Sequence, residues 1–116
     1  MVLDTKGGPN YAKNFVDAPM IVDAQKGEYY RQTSFYAMGH FSKFLTPGSV
    51  RLVHTFNNNV TNHAMVTAFR RPDNATVLIA YNPEDIDIQF VIEDPHNGKL
   101  ITKLVERGIQ SFIYWD

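Results

Sequence analysis

The sequence predicts a mainly β protein: a six-stranded antiparallel β-sandwich-like C-terminal part, preceded by one helix and an irregular segment. Three observations predict it. Apolar residues change from helical spacing to a period of two near residue 50. Turn signals then recur at intervals of about a dozen residues or less. Hydrophobic residues are 44% and charged residues 20% of 116 positions, a folded composition at the length of one domain or part of a larger one.

Residues 1–27 read as irregular. Gly7-Gly8-Pro9-Asn10 is a dense turn signal, and Ala18-Pro19 and Lys26-Gly27 are weaker ones. Met20-Ile21-Val22, between them, suits a short strand. A long irregular stretch in a compact domain is uncommon and is usually functional or poorly ordered. Thr33 to about Leu45 reads as a helix. Phe35, Tyr36, Met38, Phe41, Phe44 and Leu45 leave it little polar surface, and Thr46-Pro47-Gly48 stops it. A helix apolar on several sides wants partners on several sides, and the remaining chain looks too small to supply them.

Six strands follow: Val50–Phe56, Ala64–Arg70, Thr76–Asn82, Ile86–Ile92, Leu100–Val105 and Ile109–Trp115. Arg71-Pro72-Asp73-Asn74 turns the chain between the second and third. Ile86, Ile88, Phe90 and Ile92 alternate onto one face. Pro95-His96-Asn97-Gly98 and Glu106-Arg107-Gly108 separate the last strands.

Charge is balanced: 11 Lys plus Arg against 12 Asp plus Glu, a net charge of −1. That gives no electrostatic footprint for nucleic acid or an anionic membrane. With no Cys, a disulfide scaffold, a Cys-ligated zinc site and a thiol nucleophile are excluded. No apolar run is long enough for a transmembrane helix. Met1-Val2-Leu3-Asp4-Thr5-Lys6 shows no signal-peptide pattern.

Catalytic candidates are sparse. Asp73, Glu84, Asp85, Asp94 and Glu106 sit in turns, Asp87 on a polar strand face and Glu93 at a strand end, so each reads as solvated surface. Asp17, Asp23 and Glu28, in or next to the irregular segment, are more interesting, but no spacing specifies a catalytic pair. His40, His54, His63 and His96 lack the helical spacing of a zinc pair. His40 reads as a hydrogen-bonded buried histidine. There is no glycine-rich phosphate loop, and no metal or organic cofactor is implied. Asn59-Val60-Thr61 and Asn74-Ala75-Thr76 are glycosylation sequons, where composition predicts about one by chance.

Two longer segments say more. The run from Gly7 to Asp23, containing Asn14-Phe15-Val16, closely resembles the lysosomal glucosylceramidases, acid β-glucosidases of glycoside hydrolase family thirty. So does Phe35-Tyr36-Ala37-Met38-Gly39-His40-Phe41-Ser42-Lys43-Phe44, at a spacing similar to the family's. From Pro47 onward the match is looser, though the aromatic ending Phe112-Ile113-Tyr114-Trp115 is similar.

The resemblance covers essentially this whole chain but only the C-terminal part of the family. It implies that residues 1–46 are the end of a catalytic (β/α)8 barrel, the excursion after its last strand plus its last helix. Residues 47–116 would be most of a β-sandwich domain. The family's acid/base and nucleophile glutamates lie upstream, and no Glu here matches either motif. Asn14 is implied as a polar contact to the sugar, with Val16 beside it and Phe15 and Tyr11 as apolar walls. Without the resemblance, Asn14 would cap a turn and Phe15 would be core. The expected substrate of the parent enzyme is glucosylceramide, and its expected place is the lysosome. Its expected partners are the missing barrel portion and a lipid-associated activator protein. The alternative is a non-catalytic β-sandwich module that binds carbohydrate, lipid or a full-length paralogue.

Overall fold

A computed structural model describes residues 1–53, 63–94 and 98–115. The chain divides into two compact units, Met1–Gly39 and His40–Asp116.

The first unit is built on a three-stranded sheet: β1 (Val2–Asp4), β2 (Met20–Asp23) and β3 (Glu28–Arg31), in that order. β1 runs parallel to β2, with Val2 opposite Met20. β2 and β3 are antiparallel, with Asp23 opposite Glu28. Asp23 makes the turn between them, its Oδ1 accepting the N–H groups of Gln25 and Lys26, each at 3.2 Å. Gly27 follows at φ +67°, where a side chain would be strained. The expectation of an irregular 1–27 with one short strand is therefore corrected. A three-residue strand, Val-Leu-Asp, is too short to show a period, and its pairing partner lies eighteen residues on.

The helix α1 spans Thr33–Ser42, three residues shorter than predicted. One further helical bond, from Leu45 N–H to Phe41 O at 2.9 Å, carries a single turn past its end. None of its residues is buried. Tyr36, Met38 and Phe41 are among its exposed side chains.

Among the described residues the second unit contains six strands, as predicted. β4 (Val50–Leu52), β5 (Met65–Arg70), β6 (Ala75–Asn82) and β9 (Gly108–Trp115) form an antiparallel sheet in the order β4–β5–β6–β9. β7 (Ile88–Asp94) and β8 (Lys99–Val105) pair with each other as a separate hairpin. Ala64, Ala80, Phe90 and Val105 form the core, with Val66, Ile88 and Phe112 against it. That is a sandwich: side chains of the four-stranded sheet meet side chains of the hairpin. β6 is buried at every position but Tyr81, because it is the inner strand between β5 and β9 and its Val-Leu-Ile-Ala run is apolar on both faces.

Two strand details differ from expectation. β4 is three residues long, and the rest of the predicted Val50–Phe56 falls partly on residues outside those described. Ile86 is 65% exposed and precedes β7, so the buried face of that strand starts at Ile88 and centres on Phe90. Asn82 takes over there: its buried side chain holds the chain between β6 and β7.

Candidate functional site

Parallel strands cannot be joined by a tight turn. The link from β1 to β2 therefore has to travel back along the sheet, and residues 5–19 do this without a helix. This is the segment that carries Tyr11, Asn14, Phe15 and Val16.

Asp4, at the end of β1, organises the start of the loop. Its Oδ1 accepts the N–H groups of Lys6 and Gly8, both at 2.8 Å. Its backbone N–H donates to Gly8 O at 2.6 Å, and Gly7 N–H donates to Asp4 O at 3.0 Å. The Gly8 amide, and after it the Lys6 amide, holds the Asp4 carboxyl below the usual carboxylate value. The two glycines fit this arrangement for separate reasons. Gly7 lies at φ +78°, and a Cβ there would approach Phe15 Cδ1 to 3.3 Å. A Cβ on Gly8 would stand 2.9 Å from Asp4 Oδ2.

Asn10 closes the loop. Its Oδ1 accepts the Asn14 N–H at 3.2 Å, and its Nδ2 donates to Asn14 O. Lys13 sits between them at φ +53°, in the left-handed region. Both backbone groups of Asn14 are thus held, and its side chain is exposed. Tyr11 is fully exposed at 101%, Phe15 is 69% exposed, and Val16 is exposed as well. Phe15 is therefore not a core residue in this unit. The structure brings all four expected site residues onto one loop, with the amide and the aromatic faces open to solvent. Such a surface can donate and accept hydrogen bonds and offer apolar area.

The other candidates have structural occupations. Asp17 Oδ1 accepts the Ala18 N–H at 2.8 Å. Asp23 makes its turn and pairs with Lys26 at 3.4 Å. Glu28 accepts the Tyr30 hydroxyl at 2.7 Å, a bond that raises the Tyr30 pKa. His40 Nδ1 lies 2.9 Å from Ser111 Oγ and is partly buried. His63 Nδ1 is 3.2 Å from Glu84 Oε1, an exposed pair. No group of three or more His, Cys, Asp or Glu that could hold a metal occurs among the described residues. His54, His96 and the sequon residue Asn59 lie outside the described residues. Asn74 is exposed in the turn after β5.

Asp4 and Asn10 are the loop residues that sequence reasoning passed over. Signals existed: an Asp before a Gly-Gly pair and an Asn inside a turn cluster are side chains that bond to nearby backbone.

Comparison with known proteins places this architecture in a class. The chain belongs to glycosyl hydrolase family 30: residues 1–45 match its TIM-barrel domain and residues 48–112 its beta sandwich domain. Over 114 residues it is 36% identical to the lysosomal acid glucosylceramidase of Mus musculus, covering 98% of this chain and 22% of that protein. The crystal structure of SrfJ from Salmonella typhimurium superposes with a TM-score of 0.85 at 27% identity, covering 99% of this chain and 25% of that one. An endo-beta1,6-glucanase shares the fold with a TM-score of 0.75 at 17% identity, covering 99% of this chain and 26% of its own. The chain spans about a fifth of the length of the mouse enzyme.

Proposed function

We propose that this chain is the C-terminal part of a glucosylceramidase. The whole enzyme hydrolyses the β-glucosidic bond of glucosylceramide to glucose and ceramide, with retention through a glucosyl-enzyme intermediate. The observation that carries the reading is the 36% identity to the mouse lysosomal acid glucosylceramidase across 98% of this chain. On this reading residues 1–46 end the catalytic barrel and residues 47–116 belong to the sandwich domain. The lysosome is its place of action, and the rest of the barrel and a lipid-associated activator protein are its partners. The lysosomal relative supports the first of these.

Within the whole enzyme, Asn14 Nδ2 donates to a glucose oxygen, with Val16 beside it, and Phe15 and Tyr11 pack against the apolar faces of the sugar or the lipid. The clamp made by Asn10 supports this role, because it fixes the Asn14 backbone and leaves the side chain to the ligand. Retaining hydrolysis needs two carboxyl groups about 5–5.5 Å apart. Neither comes from this chain, so its residues bind and orient while the upstream barrel supplies the acid and the nucleophile.

Replacing the matching segment of the mouse enzyme with this chain tests the proposal. A folded chimera should hydrolyse glucosylceramide; a folded chimera without activity would sink the reading. In the active chimera, Asn14→Ala should raise KM about 5- to 30-fold, the loss of one hydrogen bond of roughly 1–2 kcal/mol. An unchanged KM and kcat would remove Asn14 from the site. The chain alone should give no turnover.

A further inference from the structure

We infer that Asn74 is an N-glycosylation site. By count alone, the sequon Asn74-Ala75-Thr76 stands near chance expectation. The structure adds an observation at each end of it.

Asn74 sits at the tip of the β5–β6 hairpin with Pro72 and Asp73, and all three are exposed. Its N–H donates to Arg71 O at 3.0 Å, and Arg71 N–H donates to Ala75 O at 2.9 Å. The Asn74 carbonyl accepts from Arg70 Nη1 at 3.0 Å. Its side-chain amide has no partner among the described residues. Its φ of +63° accounts for an Asn here without any glycan, since Gly and Asn are the residues that tolerate this region. Asn74 alone therefore decides nothing.

Thr76 decides. It is 2% exposed, opposite Arg70 on one side and Tyr114 on the other. Its Oγ1 is buried with no hydrogen-bond partner among the described residues. A hydroxyl left so is destabilising, because it gives up its bonds to water and gains none in return. Valine has nearly the same shape, suits the strand equally, and carries no such penalty; Val77 is the next residue. Among the described residues this hydroxyl makes no hydrogen bond. Glycan transfer gives it a use, because the acceptor pattern requires Ser or Thr two residues after the Asn. The pattern is read on the extended chain, before β5 and β9 cover Thr76.

In the transfer, Asn74 Nδ2 bonds to the anomeric carbon of an oligosaccharide carried on a lipid diphosphate. The bond from that carbon to the diphosphate oxygen breaks, the diphosphate leaves with the electron pair, and Nδ2 gives up one proton to solvent. The inference rests on the secretory route implied by a lysosomal place, and on no part of the catalytic reading.

The test is to express the chain behind a secretion signal in cultured animal cells, then digest it with an amidase that releases N-glycans and converts Asn to Asp. Peptide mapping should find Asp at position 74, separate from any conversion at Asn59. Asn74→Gln and Thr76→Val should abolish the modification, and Thr76→Ser should keep it. An unmodified Asn74 in the wild-type chain overturns the inference. The appended signal supplies the route, so that result condemns the site and not the lysosomal reading. In bacterially made protein, Thr76→Val should melt at the wild-type temperature or above. A lower melting temperature would show that the hydroxyl has a structural use and would remove the argument.

Discussion

Asn82 is a buried polar side chain with all its hydrogen-bonding groups engaged. Its Nδ2 donates to Ile86 O at 2.7 Å and to Val105 O at 2.9 Å, and its Oδ1 accepts the Glu84 N–H at 2.9 Å. One amide thus ties the chain after β6 to the end of β8. Asn82→Ala strands these backbone groups and should cost about 3 kcal/mol, read from urea denaturation. A loss under about 1 kcal/mol would mean that water replaces the amide. Asp4 gives the second test at this scale. Its carboxyl titrates below its ordinary value of 3.8, so its hold on the loop is complete above that value and is lost as pH falls through the lowered one. The Lys6 and Gly8 amide resonances should therefore stay constant at mildly acidic pH and move only below 3.8. Movement centred well above 3.8 would contradict the arrangement. Of these two, Asp4 left a local signal, the Gly-Gly pair that follows it, and Asn82 left none. Asn82 reads as a strand end because Val105 reaches it only through tertiary structure. Asn14 and Phe15 read as turn and core until the resemblance of their segment to the glucosylceramidases is weighed.

The longer strands were legible; of the two four-residue strands, Met20–Asp23 was read and Glu28–Arg31 was not. β6 shows itself as an apolar run between turns, and β5, β8 and β9 fall within a residue or two of their predicted limits. β1 is invisible because three residues carry no period. The clean alternation through Ile86 misleads at its first member, since a side chain beyond the strand end does not share the buried face. β7 offers a paired test of which face matters. Phe90 is in the core and Val91, its neighbour, is exposed. Phe90→Ala should cost about 3–5 kcal/mol, and Val91→Ala about 0.5 kcal/mol or less. Equal losses would mean that the hairpin does not cover the sheet as described.

At the scale of the whole chain, the two units are unequally provided with core. Leu3 and Ala18 are the buried apolar residues of the first, while the second buries most of β6 with Phe90 and Val105. Backbone amides of Val77–Ala80 should exchange slowest, and those of residues 1–39 faster; the reverse order would place the stable core elsewhere. The apolar helix foretold incomplete cover at this scale, and α1 has no buried residue. The order of strands in the larger sheet has one more effect, on the birth of the protein. Ala-Thr-Val-Leu-Ile-Ala-Tyr is uncharged, rich in β-formers and free of proline, which is the signature of a segment that self-associates when exposed. Its second neighbour, β9, is separated from it by 25 residues of sequence. At roughly 5–20 residues per second, the ribosome leaves that edge open for seconds. Quality control during synthesis, more than the equilibrium of the finished fold, would then set how much of this protein a cell obtains.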